Sequence, residues 1–91
     1  MMFRLRAGVD EREFLASDSR LQSGFTYQQP GLVRSTTARG EDGRWLVLQV
    51  WAGEPEADAA RDRFHESPLA AAFMSFVDVD TMTVDRFTAL D

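Results

Sequence analysis

Arg44-Trp45-Leu46-Val47-Leu48-Gln49-Val50-Trp51 is the stretch that decides the fold. Trp45, Val47, Gln49 and Trp51 fall on one side of an alternating strand, and Leu46, Leu48 and Val50 on the other. Both sides are largely apolar, so both are expected to be covered. A lone two-layer domain covers one sheet face with helices and leaves the other wet. A second covered face therefore implies a partner, and a second copy of the same chain is the simplest one.

Upstream of this strand, Gly40-Glu41-Asp42-Gly43 reads as a hairpin turn, with residues 32–39 as the strand before it. Residues 3–9 alternate as a first strand: Phe3, Leu5, Ala7 and Val9 point one way, Arg4 and Arg6 the other. Asp10 with Glu13 has capping-box spacing, and Glu11 and Glu13 suit the positive end of a helix dipole. The helix is expected over about 11–28, with Phe14, Leu21 and Phe25 on its inner face, until Pro30-Gly31 stops it. Downstream, Gly53-Glu54-Pro55 opens a helix with the inner stripe Ala57, Ala60 and Phe64. Ser67-Pro68 restarts a short one in which Leu69, Ala72, Phe73 and Phe76 share a face. The last strand is expected from about Met82 to Leu90.

The order β-α-β-β-α-β is the split βαβ pattern, so the fold class is α+β: a ferredoxin-like domain with an antiparallel four-stranded sheet, whose open face would meet a second copy. The chain has 91 residues, which suits one domain over 1–91. A domain this small has thin stability of its own and often adds a disulfide, a metal or a partner. Cysteine is absent and His65 is the only histidine, which removes disulfides, thiolate sites and histidine-cluster metal sites. Self-association is the remaining common route.

A net charge of −5 argues against a nucleic-acid partner, since phosphate binding needs a cationic surface. No apolar run approaches the roughly 20 residues of a membrane-spanning helix, and the start lacks the long apolar segment of a signal peptide. A cytoplasmic location is the default expectation. All ten basic residues are Arg, and Lys, Asn and Ile are missing, a bias that fits a GC-rich, bacterial genome.

The strings Gln28-Gln29-Pro30-Gly31-Leu32, Asp42-Gly43-Arg44-Trp45-Leu46 and Val50-Trp51 resemble the antibiotic-biosynthesis-monooxygenase-like group of dimeric α/β barrels. In that group a Gln-Pro-Gly step leads from helix one to strand two. A Trp closes strand three, ahead of a helix rich in Ala and acidic residues. The segment His65-Glu66-Ser67-Pro68 is similar as well, since related chains carry His and Pro there. The resemblance spans nearly the whole chain. It implies a homodimer with sheets facing each other and helices outside, and a small-molecule site between sheet and helices. Some members oxidise polyphenols or quinols with oxygen and no cofactor; others degrade heme, using an Asn on strand one. This chain contains no Asn, which sets it apart from the heme-degrading members.

The candidate catalytic residues are Asp18 and His65. Asp18 falls inside the apolar stripe Phe14, Leu21, Phe25. A carboxylate there is costly unless it is paired or faces a wet cavity. It is either a cavity acid or base, or a residue in an ion pair or at the rim, with Arg61 or Arg86 as partner. His65 is either a proton carrier or a residue at a helix C-terminus, stabilised by the dipole. Trp51, Gln28, Phe25 and Phe73 are the candidate substrate contacts. Trp51 would stack on an aromatic ligand or simply fill a strand end. Gln28 and Gln29 would bind a ligand or cap the helix, and Tyr27 points outward by helical spacing. Arg4 and Arg6 would hold an acidic ligand or pair with acids across the dimer. Asp78 and Asp80 read as a solvated loop rather than a metal site. No cofactor and no metal is expected. Two functions follow: a cofactor-independent monooxygenase acting on an aromatic or quinol-type substrate, or a non-catalytic dimeric binding module.

Overall fold

The computed structural model describes residues 1–90. The chain runs β1 (Met2–Leu5), α1 (Glu11–Gly24), a single 3₁₀ turn (Thr26–Gln28), β2 (Leu32–Arg39), β3 (Trp45–Trp51), α2 (Glu54–Phe64), α3 (Pro68–Met74) and β4 (Val77–Thr83). The strands form one antiparallel sheet in the order β2-β3-β1-β4, the arrangement of a ferredoxin-like α+β fold.

The helix starts have the chemistry expected of them. Asp10 caps α1, accepting the Arg12 N–H at 2.8 Å. Ser67 caps α3, accepting the Ala70 N–H at 3.3 Å, with Pro68 in the first turn. Pro55 opens α2, where the missing proline N–H is one the helix could not satisfy. Helix one is shorter than its apolar period suggests: α1 ends at Gly24, and a tighter turn carries the chain on to Gln28.

The core lies between the helices and one face of the sheet. Phe14 of α1 is at its centre. Its ring centroid is 4.9 Å from Trp45, 5.3 Å from Phe73 and 5.9 Å from Phe3. Phe3, Val77, Val47, Leu21 and Ala70 complete it. On α3 the buried pair is Ala70 and Phe73, while Ala72 of the expected face is exposed. A difference of one residue there reflects how a short helix is rotated by what it packs on.

The bounds of two strands need correction. The first strand ends at Leu5, where Gly8 at φ +79° begins the descent into α1. The last strand is Val77–Thr83 and not 82–90. Its alternation of Val77 and Asp78, Val79 and Asp80 is a strand pattern on a sheet edge, where carboxylates stay solvated; Val77 is fully buried and pairs with Leu5. Asp78 and Asp80 therefore belong to a strand and not to a loop. The second face of β3 is left open within one chain, as a lone two-layer domain leaves it. Trp45 and Val47 turn toward the helices, whereas Leu46, Leu48 and Val50 are 37%, 46% and 38% exposed on the open face.

Candidate functional site

A polar seam joins α1 to β2. Measured from Phe14 at 100° per residue, Glu11, Asp18 and Gln22 all fall on one flank of the helix, between about 40° and 80°. That flank lies against the helix-facing side chains of β2, and the two elements run in opposite directions. Glu11 pairs with Arg39 at one end. In the middle, the Thr37 hydroxyl donates to Asp18 Oδ1 at 3.0 Å, and the Gln22 amide donates to the same oxygen at 3.3 Å. At the other end, Tyr27 holds the main chain of Ser35. The opposite flank carries Gly24, where a Cβ would lie 2.7 Å from the Cδ1 tip of Leu69 of α3, which would have to shift. The small flank thus lets α3 approach, and the polar flank meets β2.

Asp18 is 7% exposed. Arg61 and Arg86 are not its partners: both point to Asp58, Arg86 at 2.7 Å. The carboxylate instead relies on two neutral donors, both on Oδ1. Among the described residues Oδ2 has no hydrogen-bond partner. Oδ2 reaches the surface, whereas two buried oxygens in the seam, Gln22 Oε1 and Ser35 Oγ, lack a partner. Every unpaired group is thus an acceptor or a hydroxyl. The seam suits a water or the hydroxyl of a ligand, and would repel an anion.

The remaining candidate residues are dispersed. His65 is exposed at the end of α2, its ring edge-on to Phe64. With Phe64, Ser67, Ala70, Ala71 and Met74 it lines a pocket of about 130 Å³, which Asp18 does not reach. Trp51 is half-buried at the end of β3, opposite Leu32. Phe25 packs edge-on against Phe64, 6.0 Å between centroids. Phe73 is 1% exposed in the core, in edge contact with Phe3 at 5.8 Å. Gln28 donates to the Ser23 carbonyl at 3.3 Å, finishing the α1 end, and Gln29 donates to Phe25 O and accepts from Arg63. Asp18 and His65 therefore do not share a pocket with one another or with Trp51.

Thr37, Ser35 and Gln22 are the site residues that sequence reading missed. The signal was there: in a strand, Ser35 and Thr37 share a face, and polar side chains facing a helix call for polar partners.

A second pocket, of about 240 Å³, lies on the open face at the β2–β3 turn. Met2, Ala38 and Leu46 form its floor, and Arg39, Asp42 and Arg44 its rim. Asp42 is held by this turn: the Arg44 N–H donates to it at 3.1 Å, and the Arg44 guanidinium at 2.7 Å. The main-chain donor first, then the arginines, hold its carboxyl below the ordinary range. Arg4 joins by donating to the Asp42 carbonyl at 2.7 Å, and Arg6 donates to the Val77 carbonyl at 3.2 Å. Both arginines thus have partners in their own chain.

Among the described residues no three His, Cys, Asp or Glu side chains are grouped to hold a metal ion, and no helix is long and apolar enough to cross a membrane. Comparison with protein-family models, curated proteins and solved structures gives no match.

Proposed function

We propose that the chain is a homodimeric interaction module in which two copies cover each other's open sheet faces, closing an α/β barrel. One observation carries this reading: Leu46, Leu48 and Val50 form an exposed apolar row along the central strand β3. The accessible surface supports it. The chain exposes 6286 Å². A compact monomer of 10.3 kDa exposes about 5,400 Å², so roughly 900 Å² is in excess. A standard interface takes about 800 Å² from each partner. Sedimentation equilibrium of the purified chain tests the reading. A dimer is expected, and Leu48→Glu should dissociate it while leaving the helix signal intact. A wild-type chain that stays monomeric at micromolar concentration ends the proposal.

A second reading is favoured by the Asp18 seam: a dimeric small-molecule-binding barrel working as a cofactor-independent oxygenase on an aromatic or quinol-type substrate. A buried carboxylate with a free oxygen is placed to accept the proton of a ligand hydroxyl, and adjacent unpaired acceptors would orient that hydroxyl. Oxygen uptake with reduced quinols checks it. Turnover by the wild type that Asp18→Asn abolishes supports the reading; background uptake by both removes it.

A further inference from the structure

The open face of the sheet has an apolar floor and a basic corner at its turn end. Met2 and Ala38 both pair with Leu46, so the three lie side by side across β1, β2 and β3. Side chains at one level of one face are within contact distance across strands. These three form the floor of the pocket of about 240 Å³ beside the β2–β3 turn. Leu46 is the turn-side end of the exposed row Leu46, Leu48 and Val50, so the pocket sits at the end of that row and not under its middle.

Phe3 pairs with Trp45, and carrying that register on by one residue brings Arg4 beside Arg44. Two guanidiniums then meet one carboxylate: Asp42 Oδ2 accepts the Arg44 Nε–H at 2.7 Å and lies 3.8 Å from Arg4 Nη2. The one short bond that Arg4 makes there goes to the Asp42 carbonyl, a neutral group that leaves its charge unanswered. Asp78, opposite Arg4 on β4, makes no ion pair with it among the described residues, and its Oδ1 accepts the Asp80 N–H at 3.2 Å. Arg39, on the third side of the rim, pairs with Glu11. Three arginines thus face two carboxylates, in a chain whose net charge is −5. Like charges side by side on a sheet are destabilising, and an added anion relieves them.

We propose that this pocket binds a small carboxylate with an apolar body, its carboxylate held by the guanidiniums of Arg4 and Arg44 and its body by Met2, Ala38 and Leu46. The planar guanidinium fork matches a carboxylate in shape as well as in charge. Volume sets the size: drug-sized ligands take about 300 Å³ or more, so a single ring or a short acyl chain fits. Every residue of the site comes from one chain, so the inference goes beyond the homodimer reading and does not need it. In a closed barrel the pocket would lie at the mouth, a common place for ligands. It is also separate from the Asp18 seam, which is on the helix side of the sheet.

Titration of the chain with phenylacetate, followed by NMR, tests the site. The Nε–H signals of Arg4 and Arg44 and the main-chain N–H signals of Ala38 and Leu46 should shift saturably. Phenylacetamide, the neutral isostere, should bind about tenfold more weakly, the worth of one charge-assisted contact near the surface. Arg4→Gln should cause a similar loss with an unchanged far-ultraviolet circular dichroism spectrum. Asp42→Asn, which removes the competing carboxylate, should tighten binding, an effect that a purely apolar pocket would not show. Equal affinity for the acid and the amide would overturn the proposal, as would shifts confined to Asp18 and Gln22 or no saturable shift at all. Sedimentation of the same samples reads the homodimer separately. A monomer that binds keeps the site without the dimer, and a dimer that does not bind keeps the dimer without the site.

Discussion

Tyr27 and Ser35 are joined by two hydrogen bonds at once: the Tyr27 hydroxyl donates to the Ser35 carbonyl at 2.8 Å and accepts the Ser35 N–H at 3.1 Å. β2 is an edge strand, and an edge residue's free main-chain groups are a template for another strand. The tyrosine takes the place of that strand. It is exposed, as helical spacing suggests, yet its hydroxyl is committed to the sheet.

Removing the hydroxyl should therefore do two things. Tyr27→Phe is expected to destabilise the chain by about 1–2 kcal/mol, since two neutral hydrogen bonds are lost at a solvent-accessible site. It should also open the edge, raising light scattering with concentration. Urea denaturation and scattering of the same samples measure both, and a variant indistinguishable from wild type in each would contradict the role.

Gly31 should tolerate no side chain. Its φ is +84°, and a Cβ would lie 2.4 Å from Glu56 Cγ and 2.7 Å from Glu56 Cβ. Gly31→Ala combines left-handed strain with overpacking, together about 2–4 kcal/mol. Adding Glu56→Ala removes the Cγ contact but keeps the Cβ one at 2.7 Å, so it should recover only part of the loss, leaving about 1–2 kcal/mol of backbone strain together with some of the overpacking. A double-mutant cycle by chemical denaturation gives the coupling; strictly additive effects would show that the two residues do not collide.

Phe73 should behave as a core residue. Its ring touches Phe3 and Phe14, so Phe73→Ala is expected to cost about 3–5 kcal/mol, enough to unfold much of so small a domain at 37 °C. Thermal melting followed at 222 nm tests it. A folded Phe73→Ala chain with near-native stability would return this residue to the list of surface contacts.

Asp42 should make the β2–β3 turn sensitive to acid. Its carboxyl is lowered in the folded chain by the Arg44 N–H, then by the Arg44 and Arg4 guanidiniums. A depressed folded-state pKa adds stability above the unfolded value, about 3.9 for Asp, and that stability is lost as pH falls through the folded value. Asp42→Asn should therefore be less stable than wild type near neutral pH, with the gap closing below about pH 4. Added salt should also narrow the gap, because the group is exposed. A gap that is constant from pH 7 to pH 3 would sink the assignment.

Much of this molecule is legible from residue order. The alternation from Trp45 to Trp51, the Gly-rich turn before it and the Asp10 and Ser67 caps are local signals. Each acts within a few residues, so no knowledge of distant contacts is needed to read it. Val77–Thr83 was harder, because Asp78 and Asp80 lower strand propensity and the pattern makes sense only at a solvated sheet edge. The candidate site was legible only in part. Asp18 stood out as a carboxylate in an apolar stripe, and Ser35 and Thr37 share a strand face, but only packing shows that this face meets the Asp18 and Gln22 flank of α1. Phe73 and Trp51 look alike as aromatic side chains near helix or strand ends, and only packing separates a core ring from a half-exposed one.

By itself the amino-acid order determined the succession of strands and helices and the apolar side of β3, since those depend on backbone preference and on periods of a few residues. Tertiary structure alone decided that β3 offers Leu46, Leu48 and Val50 to the outside, that Asp18 leans on Thr37 and that Arg86 holds the segment after β4 against α2. Such outcomes depend on which faces meet across long stretches of chain, and burial is a property of the meeting and not of either residue.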